Sequence, residues 1–117
     1  MSEFRRWSPV DFERNVRGFM TQATLKAVEL EKLEKEAAEA EVAYKLALAR
    51  AQLTSEKKSV EDRKADAMVK CERLYHDAFV RGAVRDACRE ALRVQRDSLN
   101  AAQSIGALIR AEIGLER

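Results

Sequence analysis

The sequence predicts an all-α protein: a long antiparallel helical hairpin of coiled-coil type, expected to dimerise into a four-helix bundle. The 117 residues contain one proline and four glycines, so few positions interrupt a helix. Charged residues make up 36% of the chain and aromatic residues 6%, a profile typical of long helices rather than of a spherical core. An apolar stripe also repeats with coiled-coil spacing. The length fits a single domain, residues 1–117.

The first helix is predicted over residues 9–53. Ser8 is a favourable N-cap and Pro9 suits the first helical position. Apolar residues then follow at alternating steps of four and three, with Lys26 as the one charged member. The stripe consists of Phe12, Val16, Phe19, Ala23, Lys26, Leu30, Leu33, Ala37, Ala40, Tyr44, Ala47 and Ala51. In a competing arrangement this helix bends near Gly18, and a short N-terminal helix packs across the long pair.

A turn is predicted over residues 54–59 and a second helix over about 60–113. Ser59 can cap the second helix. Because glycine disfavours a helix interior, a kink or a close contact is expected at Gly82 and at Gly106. The apolar residues assigned to this helix's side of the seam are Ala67, Cys71, Leu74, Ala78, Val84, Ala87, Ala91, Val94, Ala101, Ile105 and Leu108.

Several apolar residues fall outside both stripes. They are Leu25, Val28, Val42, Leu46 and Leu48 on the first helix and Leu92, Leu99 and Ile109 on the second. Such positions indicate a second contact face, from which we expect a homodimer built as a four-helix bundle. The alternative is that these residues only widen the seam within one chain.

The charge balance excludes some classes of protein. A net charge of +2, from 22 basic and 20 acidic residues, is typical neither of a DNA-coating protein nor of an acidic DNA mimic. No apolar run approaches the roughly 18 residues that span a membrane, and the N-terminus lacks the apolar core of a signal peptide. We therefore expect a cytoplasmic protein of the host cell with no membrane partner.

Catalysis, a cofactor and a metal site are not expected. The sequence has no glycine-rich phosphate loop and no arrangement of nucleophile and base. One histidine, His76, does not make a zinc site with Cys71. Cys71 and Cys88 lie 17 residues apart on one predicted helix, too far to form a disulfide, so both are expected to be buried thiols. No small-molecule substrate is indicated.

Basic residues are concentrated in the stretch RGAVRDACREALRVQR, residues 81–96. On a helix its arginines span an arc of about 120° and are predicted to face away from the seam. Arg81 and Arg85 lie beside the glutamate-rich stretch 29–41, which is expected to neutralise them. The remaining arginines lie beside residues 16–23, which contain no acid.

Five residues form the candidate patch for a nucleic acid or an acidic partner: Arg14, Arg17, Arg89, Arg93 and Arg96. Arginine binds phosphate through two parallel hydrogen bonds, and clustered cations gain affinity by releasing counterions. Glu13, Glu90 and Asp97 dilute the patch. The competing interpretation is an ordinary solvated helix face. Trp7 and Phe4 lie near this end, either as stacking platforms for bases or as a small hydrophobic cap.

Two segments carry a resemblance to a known group of proteins: AEVAYKLALARAQLTSEKKSVEDRKADA, residues 40–67, and CREALRVQRDSLNAAQSIGALIRAE, residues 88–112. They resemble small coiled-coil proteins of tailed bacteriophages that infect Gram-positive hosts, over about two thirds of the chain. The resemblance implies a phage origin and a two-helix architecture. It also implies that the gene lies among phage genes for replication and recombination. It supplies no catalytic motif.

These inferences predict a non-enzymatic phage accessory protein of DNA replication or recombination. It would act as a helical adaptor that binds single- or double-stranded DNA, or a replication or recombination protein. One alternative is a protein that binds and modulates a host or phage enzyme, as a host-takeover or anti-defence inhibitor. Another is a structural or scaffold coiled coil. Fold alone does not choose among them.

Overall fold

A computed structural model describes residues 8–116 of the chain. Within that range the protein consists of three helices and no strand: α1 (Pro9–Thr54), α2 (Val60–Lys70) and α3 (Glu72–Glu116). The predicted all-α helical hairpin is confirmed. Its predicted helix ends, at 9, 53, 60 and 113, lie within a few residues of the observed ones.

The start of α1 follows from its capping residues. The Ser8 hydroxyl accepts a hydrogen bond from the Asp11 backbone N–H at 3.1 Å and donates one to the Asp11 carboxylate at 2.9 Å. These bonds satisfy helix-terminal groups that would otherwise lack partners. The helix then runs without interruption through Gly18, so no separate short N-terminal helix forms there.

The turn between the helices is fixed by two serines. Ser59 caps α2 by accepting the Asp62 backbone N–H at 3.0 Å. Ser55 is buried, and its hydroxyl donates to the Asp66 carboxylate at 2.9 Å, which ties the turn to the first turns of α2. Arg63 adds a bond from its Nε to the carbonyl of Lys57 at 2.6 Å.

The predicted second helix is divided at Cys71. The backbone of this residue leaves ideal helical geometry, with φ −101° and ψ 15°. Its N–H still donates to the Ala67 carbonyl at 3.0 Å, and its carbonyl accepts from Tyr75 at 2.9 Å, so the four-residue spacing of hydrogen bonds continues. Helix α3 passes through Gly82 and Gly106 without interruption, and the close contact expected at Gly106 is confirmed, because the ring of Phe12 lies against it.

Contacts divide the chain into two compact units. In the terminal pair, the described residues up to Glu29 pack against those from Cys88 onward. In the turn pair, the chain from Leu30 to Ala87 folds back on itself through the turn. Each unit is an antiparallel pair of helical segments, and the seam of each is described separately below.

The predicted stripe on α1 is the seam. All twelve of its residues are buried or half-buried, from Phe12 to Val16, Phe19, Ala23 and Lys26 in the terminal pair and from Leu30 to Ala51 in the turn pair. The alternating steps of four and three therefore predicted the buried side of this helix correctly. Lys26, the charged member of the stripe, is also half-buried.

On α3 the seam differs from the predicted one. Val84, Val94 and Leu108 are exposed, so their assignment to the seam was wrong. Leu92 is buried, and Leu99 and Ile109, which had been placed outside the stripes, are half-buried. The buried and half-buried residues of α2 and α3 keep steps of four and three, except that Leu74 and Arg81, at two positions of the same repeat, are exposed. The positions of this seam are Ala67, Cys71, Leu74, Ala78, Arg81, Arg85, Cys88, Leu92, Gln95, Leu99, Ala102, Gly106, Ile109 and Ile113.

The physical reason is that α3 carries two apolar rows with the same repeat. The row that faces α1 contains Leu92, Leu99 and Ile113, and burying these large apolar side chains removes apolar surface from water. It also contains Arg81, Arg85 and Gln95, and these polar residues hide the repeat in the sequence. Long side chains can pack their stems in a seam while their polar ends reach solvent.

Candidate nucleic-acid interface

The five predicted contact residues all belong to the terminal pair and are all exposed. Four of them directly follow a seam residue: Arg17 follows Val16, and Arg89, Arg93 and Arg96 occupy the equivalent positions on α3. In an antiparallel pair, the residues that follow the seam on both helices lie along the same flank. Arg14 does not follow a seam residue, so it lies outside this flank.

Sequence reasoning missed a further arginine on that flank. Arg110 directly follows the half-buried Ile109. The signal was the seven-residue spacing of Arg89, Arg96, Gln103 and Arg110, which keeps these residues on one side of a coiled-coil helix. We call Arg17, Arg89, Arg93, Arg96 and Arg110 the basic flank.

An open groove joins the two helices on this flank. It has a volume of about 330 Å³ and is lined by Phe12, Glu13, Val16, Arg17, Gln103 and Arg110. Arg17 of α1 and Arg110 of α3 therefore lie at the same groove. Two guanidinium groups and the Gln103 amide supply the donors that a phosphate oxygen requires.

Acids of the same helix already engage part of the predicted patch. Arg93 pairs with Glu90 and, at 2.9 Å, with Asp97. The hydrogen bond from Arg93 lowers the pKa of the Glu90 carboxyl, and the same bond raises the pKa of Arg93. Arg14 lies 3.9 Å from Asp11. Arg89 also interacts within the chain.

Three arginines of the basic flank have a different environment. Arg17, Arg96 and Arg110 are exposed, and none of them forms an ion pair with another residue in the described range 8–116. Their charges are therefore available to a partner without breaking an ion pair among the described residues. These three carry the argument for phosphate binding better than Arg14 or Arg93.

Arg81 and Arg85 belong to the turn pair. Arg81 lies 3.5 Å from Glu36 and 3.0 Å from Asp77, so its predicted neutralisation by the glutamate-rich stretch is confirmed. Arg85 pairs with Asp86 at 3.0 Å. Arg85 is half-buried at a seam position, and the exposed Arg81 reaches Glu36 of α1, so the prediction that both face away from the seam was wrong.

The turn pair carries an aromatic groove that the sequence did not reveal. The groove has a volume of about 450 Å³, and Tyr44, Tyr75 and Phe79 lie along it. The rings of Tyr44 and Tyr75 are 5.4 Å apart in an edge-to-face arrangement, and those of Tyr75 and Phe79 are 6.4 Å apart. Tyr75 and Phe79 each follow a seam position, which is the signal that could have located them.

Other site classes receive no geometric support from the described residues. Cys71 and Cys88 are buried free thiols, and the Cys88 thiol donates to the Lys26 carbonyl at 3.8 Å. His76 is exposed. Between residues 8 and 116 no three side chains of His, Cys, Asp or Glu come together as metal ligands.

No helix of that range is both long and apolar enough to cross a membrane. Trp7 and Phe4 lie outside the described residues.

Comparison of the chain with protein-family models, with characterised proteins and with solved structures gives no significant match.

Proposed function

We propose that the protein is a non-enzymatic accessory factor of phage DNA replication or recombination, acting as a helical adaptor that holds nucleic acid along the basic flank. The observation that carries the proposal is the set of Arg17, Arg96 and Arg110, which lie on one flank of the terminal pair without ion pairs to the described residues. The resemblance of residues 40–67 and 88–112 to phage coiled-coil proteins supports the setting.

Within residues 8–116, the basic flank offers contacts for phosphates rather than a platform on which bases stack. Proteins that bind single strands stack bases on exposed aromatic side chains. The aromatic residues described in the terminal pair are Phe12, which is buried, and Phe19, which is half-buried in the seam. Arginines spaced along a helix instead suit contacts with backbone phosphates. From Arg89 to Arg110 the helix rises about 32 Å, which matches about nine base pairs of duplex.

The charge pattern also limits the strength of the interaction. Arg93 must break its pairs with Glu90 and Asp97 before it can bind phosphate. Glu13 lies at the same groove as Arg17 and Arg110. A binder that neutralises only a few phosphates is sensitive to salt and weak at physiological ionic strength. We therefore expect contacts that position the protein on DNA without selecting a sequence.

The test is fluorescence anisotropy with a labelled duplex of about 20 base pairs at low salt. Replacing Arg17, Arg96 and Arg110 together by glutamine should weaken binding at least 30-fold, because each phosphate contact contributes on the order of 1 kcal/mol. The matched control replaces Arg50, Lys58 and Arg73, exposed basic residues of the turn pair, by glutamine. It removes the same charge and should weaken binding less than threefold.

Two results would overturn the proposal. One is the absence of duplex binding by the unmodified protein at low salt. The other is an equal loss of affinity in the two triple variants, because it would show that total charge rather than the basic flank determines binding.

The aromatic groove of the turn pair favours a second candidate function, modulation of a host or phage enzyme by direct binding. Exposed aromatic rings are frequent anchors of protein interfaces, and Phe79 and Tyr75 are both exposed beside Lys45 and Asp86. Replacing Phe79 by serine should abolish capture of a defined enzyme from host lysate while leaving duplex binding unchanged. If capture survives this replacement, the groove is not the docking surface.

A further inference from the structure

The groove between α1 and α3 in the terminal pair combines an apolar part with exposed polar side chains. Phe12, which is buried, and Val16, which is half-buried, supply the apolar part. The polar side chains are those of Glu13, Arg17, Gln103 and Arg110. Each of these four directly follows a seam residue, so all four lie on the flank that carries the arginines. We call these six residues the terminal groove.

The polar side chains of the terminal groove are open to a ligand. Within the range 8–116, none of the four forms a hydrogen bond or an ion pair with another side chain. Glu13 and Arg17 are one helical turn apart, a spacing at which such residues can pair, yet they do not pair here.

The aromatic groove of the turn pair is different in this respect. Its charged side chains engage one another, Lys45 with Glu41 at 2.9 Å and Arg85 with Asp86 at 3.0 Å. A charged ligand would have to break these pairs. The terminal groove imposes no such requirement among the described residues, so it is the better site for an anion.

The donors of the terminal groove suit a phosphate monoester better than a phosphodiester. An internal phosphate of DNA has two free oxygens and a single charge, whereas a terminal monoester has three and a charge of about −1.5 to −2. Arg17 approaches from α1, and Arg110 and Gln103 approach from α3. Two guanidinium groups and an amide supply enough donors for all three oxygens.

Glu13 makes the terminal groove more selective. Its carboxylate repels any phosphate, and with it the charged residues of the groove sum to +1, from Arg17, Arg110 and Glu13. A singly charged phosphate is therefore held weakly, while a doubly charged one is attracted about twice as strongly. Repulsion of the weaker ligand is one way in which a site discriminates between related ligands.

The place of the terminal groove on the basic flank fits the end of a strand. Arg110 is the last arginine of the basic flank along α3. A duplex that lies along this flank presents internal phosphates to Arg89, Arg93 and Arg96 and can present its end to the groove. We infer that the terminal groove binds the terminal phosphate monoester of a nucleic-acid strand. The inference rests on the proposed function, because the basic flank holds the rest of the duplex.

Competition binding tests the inference with the full chain at low salt. Three unlabelled duplexes of about 20 base pairs displace an internally labelled one: the first has hydroxyl groups at all ends, the second has 5′-phosphates and the third has 3′-phosphates. At least one phosphorylated duplex should compete about 10-fold better than the hydroxyl form, because hydrogen bonds to a charged group are the stronger ones. Comparison of the second and third duplexes shows which strand end the groove accepts.

A variant of the groove shows whether it is the source of the preference. Gln103→Ala removes an amide donor and leaves the charge of the protein unchanged, and it should reduce the preference to about threefold or less. The matched control is Gln22→Ala, an exposed residue of the terminal pair that precedes a seam residue and so lies on the other flank. This control should keep the full preference. Arg96→Gln should weaken the binding of all three duplexes and also keep the preference.

The outcomes separate this inference from the proposed function. Equal competition by the three duplexes would overturn the inference and leave duplex binding by the basic flank intact. Failure of every duplex to bind would overturn both. A preference that persists in Gln103→Ala, or that Gln22→Ala reduces equally, would overturn the inference, because the terminal groove would not be the source of the preference.

Discussion

At the scale of single residues, Phe12 packs closely against Gly106 in the terminal pair. Gly106 lies in the seam of α3, and the ring of Phe12, itself buried, lies against it. A β-carbon at Gly106 would overlap the ring, with Cε1 and Cζ both in its space. The glycine is required here by the approach of a side chain and not by its backbone conformation, because no glycine has a positive φ in the described range.

Gly106→Ala should therefore lower the free energy of unfolding by about 1–2 kcal/mol, since overpacking of the ring outweighs the gain in helix propensity. Gly18→Ala is the control, because a β-carbon there meets no atom within 4 Å. It should raise the free energy of unfolding by up to about 1 kcal/mol. Urea denaturation at one fixed protein concentration measures both. Stabilisation by both variants would contradict the described packing.

The second residue-scale prediction concerns Asp66. The hydrogen bond from Lys70 and the one from Ser55 lower the pKa of this carboxyl. A lowered folded pKa contributes stability above the ordinary aspartate value of about 3.9, and this contribution is lost as the pH falls through the folded pKa. Ser55→Ala removes one of the two bonds.

In that variant the pKa of Asp66 should rise toward its ordinary value but stay below it, because the bond from Lys70 remains at 3.1 Å. NMR titration of the Asp66 side chain measures the change. An identical pKa in the unmodified protein and in Ser55→Ala would show that the 2.9 Å bond of Ser55 does not hold the turn.

At the scale of helices, the choice between the two rows of α3 determines the fold. The row with Leu92 and Leu99 packs within the chain, and the row with Val94 and Leu108 stays exposed. Leu92→Ala should lower the free energy of unfolding by about 2–3 kcal/mol, the cost of removing a buried leucine at a site able to relax partly. Leu53→Ala, at a position 84% exposed, is the control and should change it by at most about 0.5 kcal/mol. Equal effects of the two variants would place α3 in the other register.

The sequence predicted α1 better than α3 for a physical reason. The stripe of α1 is almost purely apolar from Phe12 to Ala51, with Lys26 as its one charged member, so only one side of that helix is suitable for a seam. On α3 two rows share one repeat, and the row that is buried carries Arg81, Arg85 and Gln95. Between residues 80 and 108, pattern alone favoured the row without charges. The deciding factor was tertiary: the fit of Phe12 to Gly106.

The candidate site was predicted in part for the same reason. The clustering of arginines was visible in the sequence, whereas the separation of engaged from available arginines depends on local acids and on the flank that each residue faces. Glu90 and Asp97 engage Arg93 because they lie three residues before it and four residues after it. Arg110 joins Arg17 only through the pairing of the two helices.

At the scale of the whole molecule, the two flanks of the terminal pair differ in chemistry. One flank presents exposed arginines, and the other presents exposed apolar side chains such as Val94 and Leu108. This division explains how a chain with a net charge of only +2 can offer a basic surface.

The central claim is that the basic flank binds nucleic-acid phosphate, and the salt dependence of duplex binding tests it most directly. For the unmodified protein, the logarithm of the binding constant should fall linearly with the logarithm of salt concentration. In the variant with glutamine at Arg17, Arg96 and Arg110, the slope should be shallower by about 0.9 for each arginine that contacted a phosphate. Identical slopes in the two proteins would show that these arginines release no counterions, and would contradict the claim.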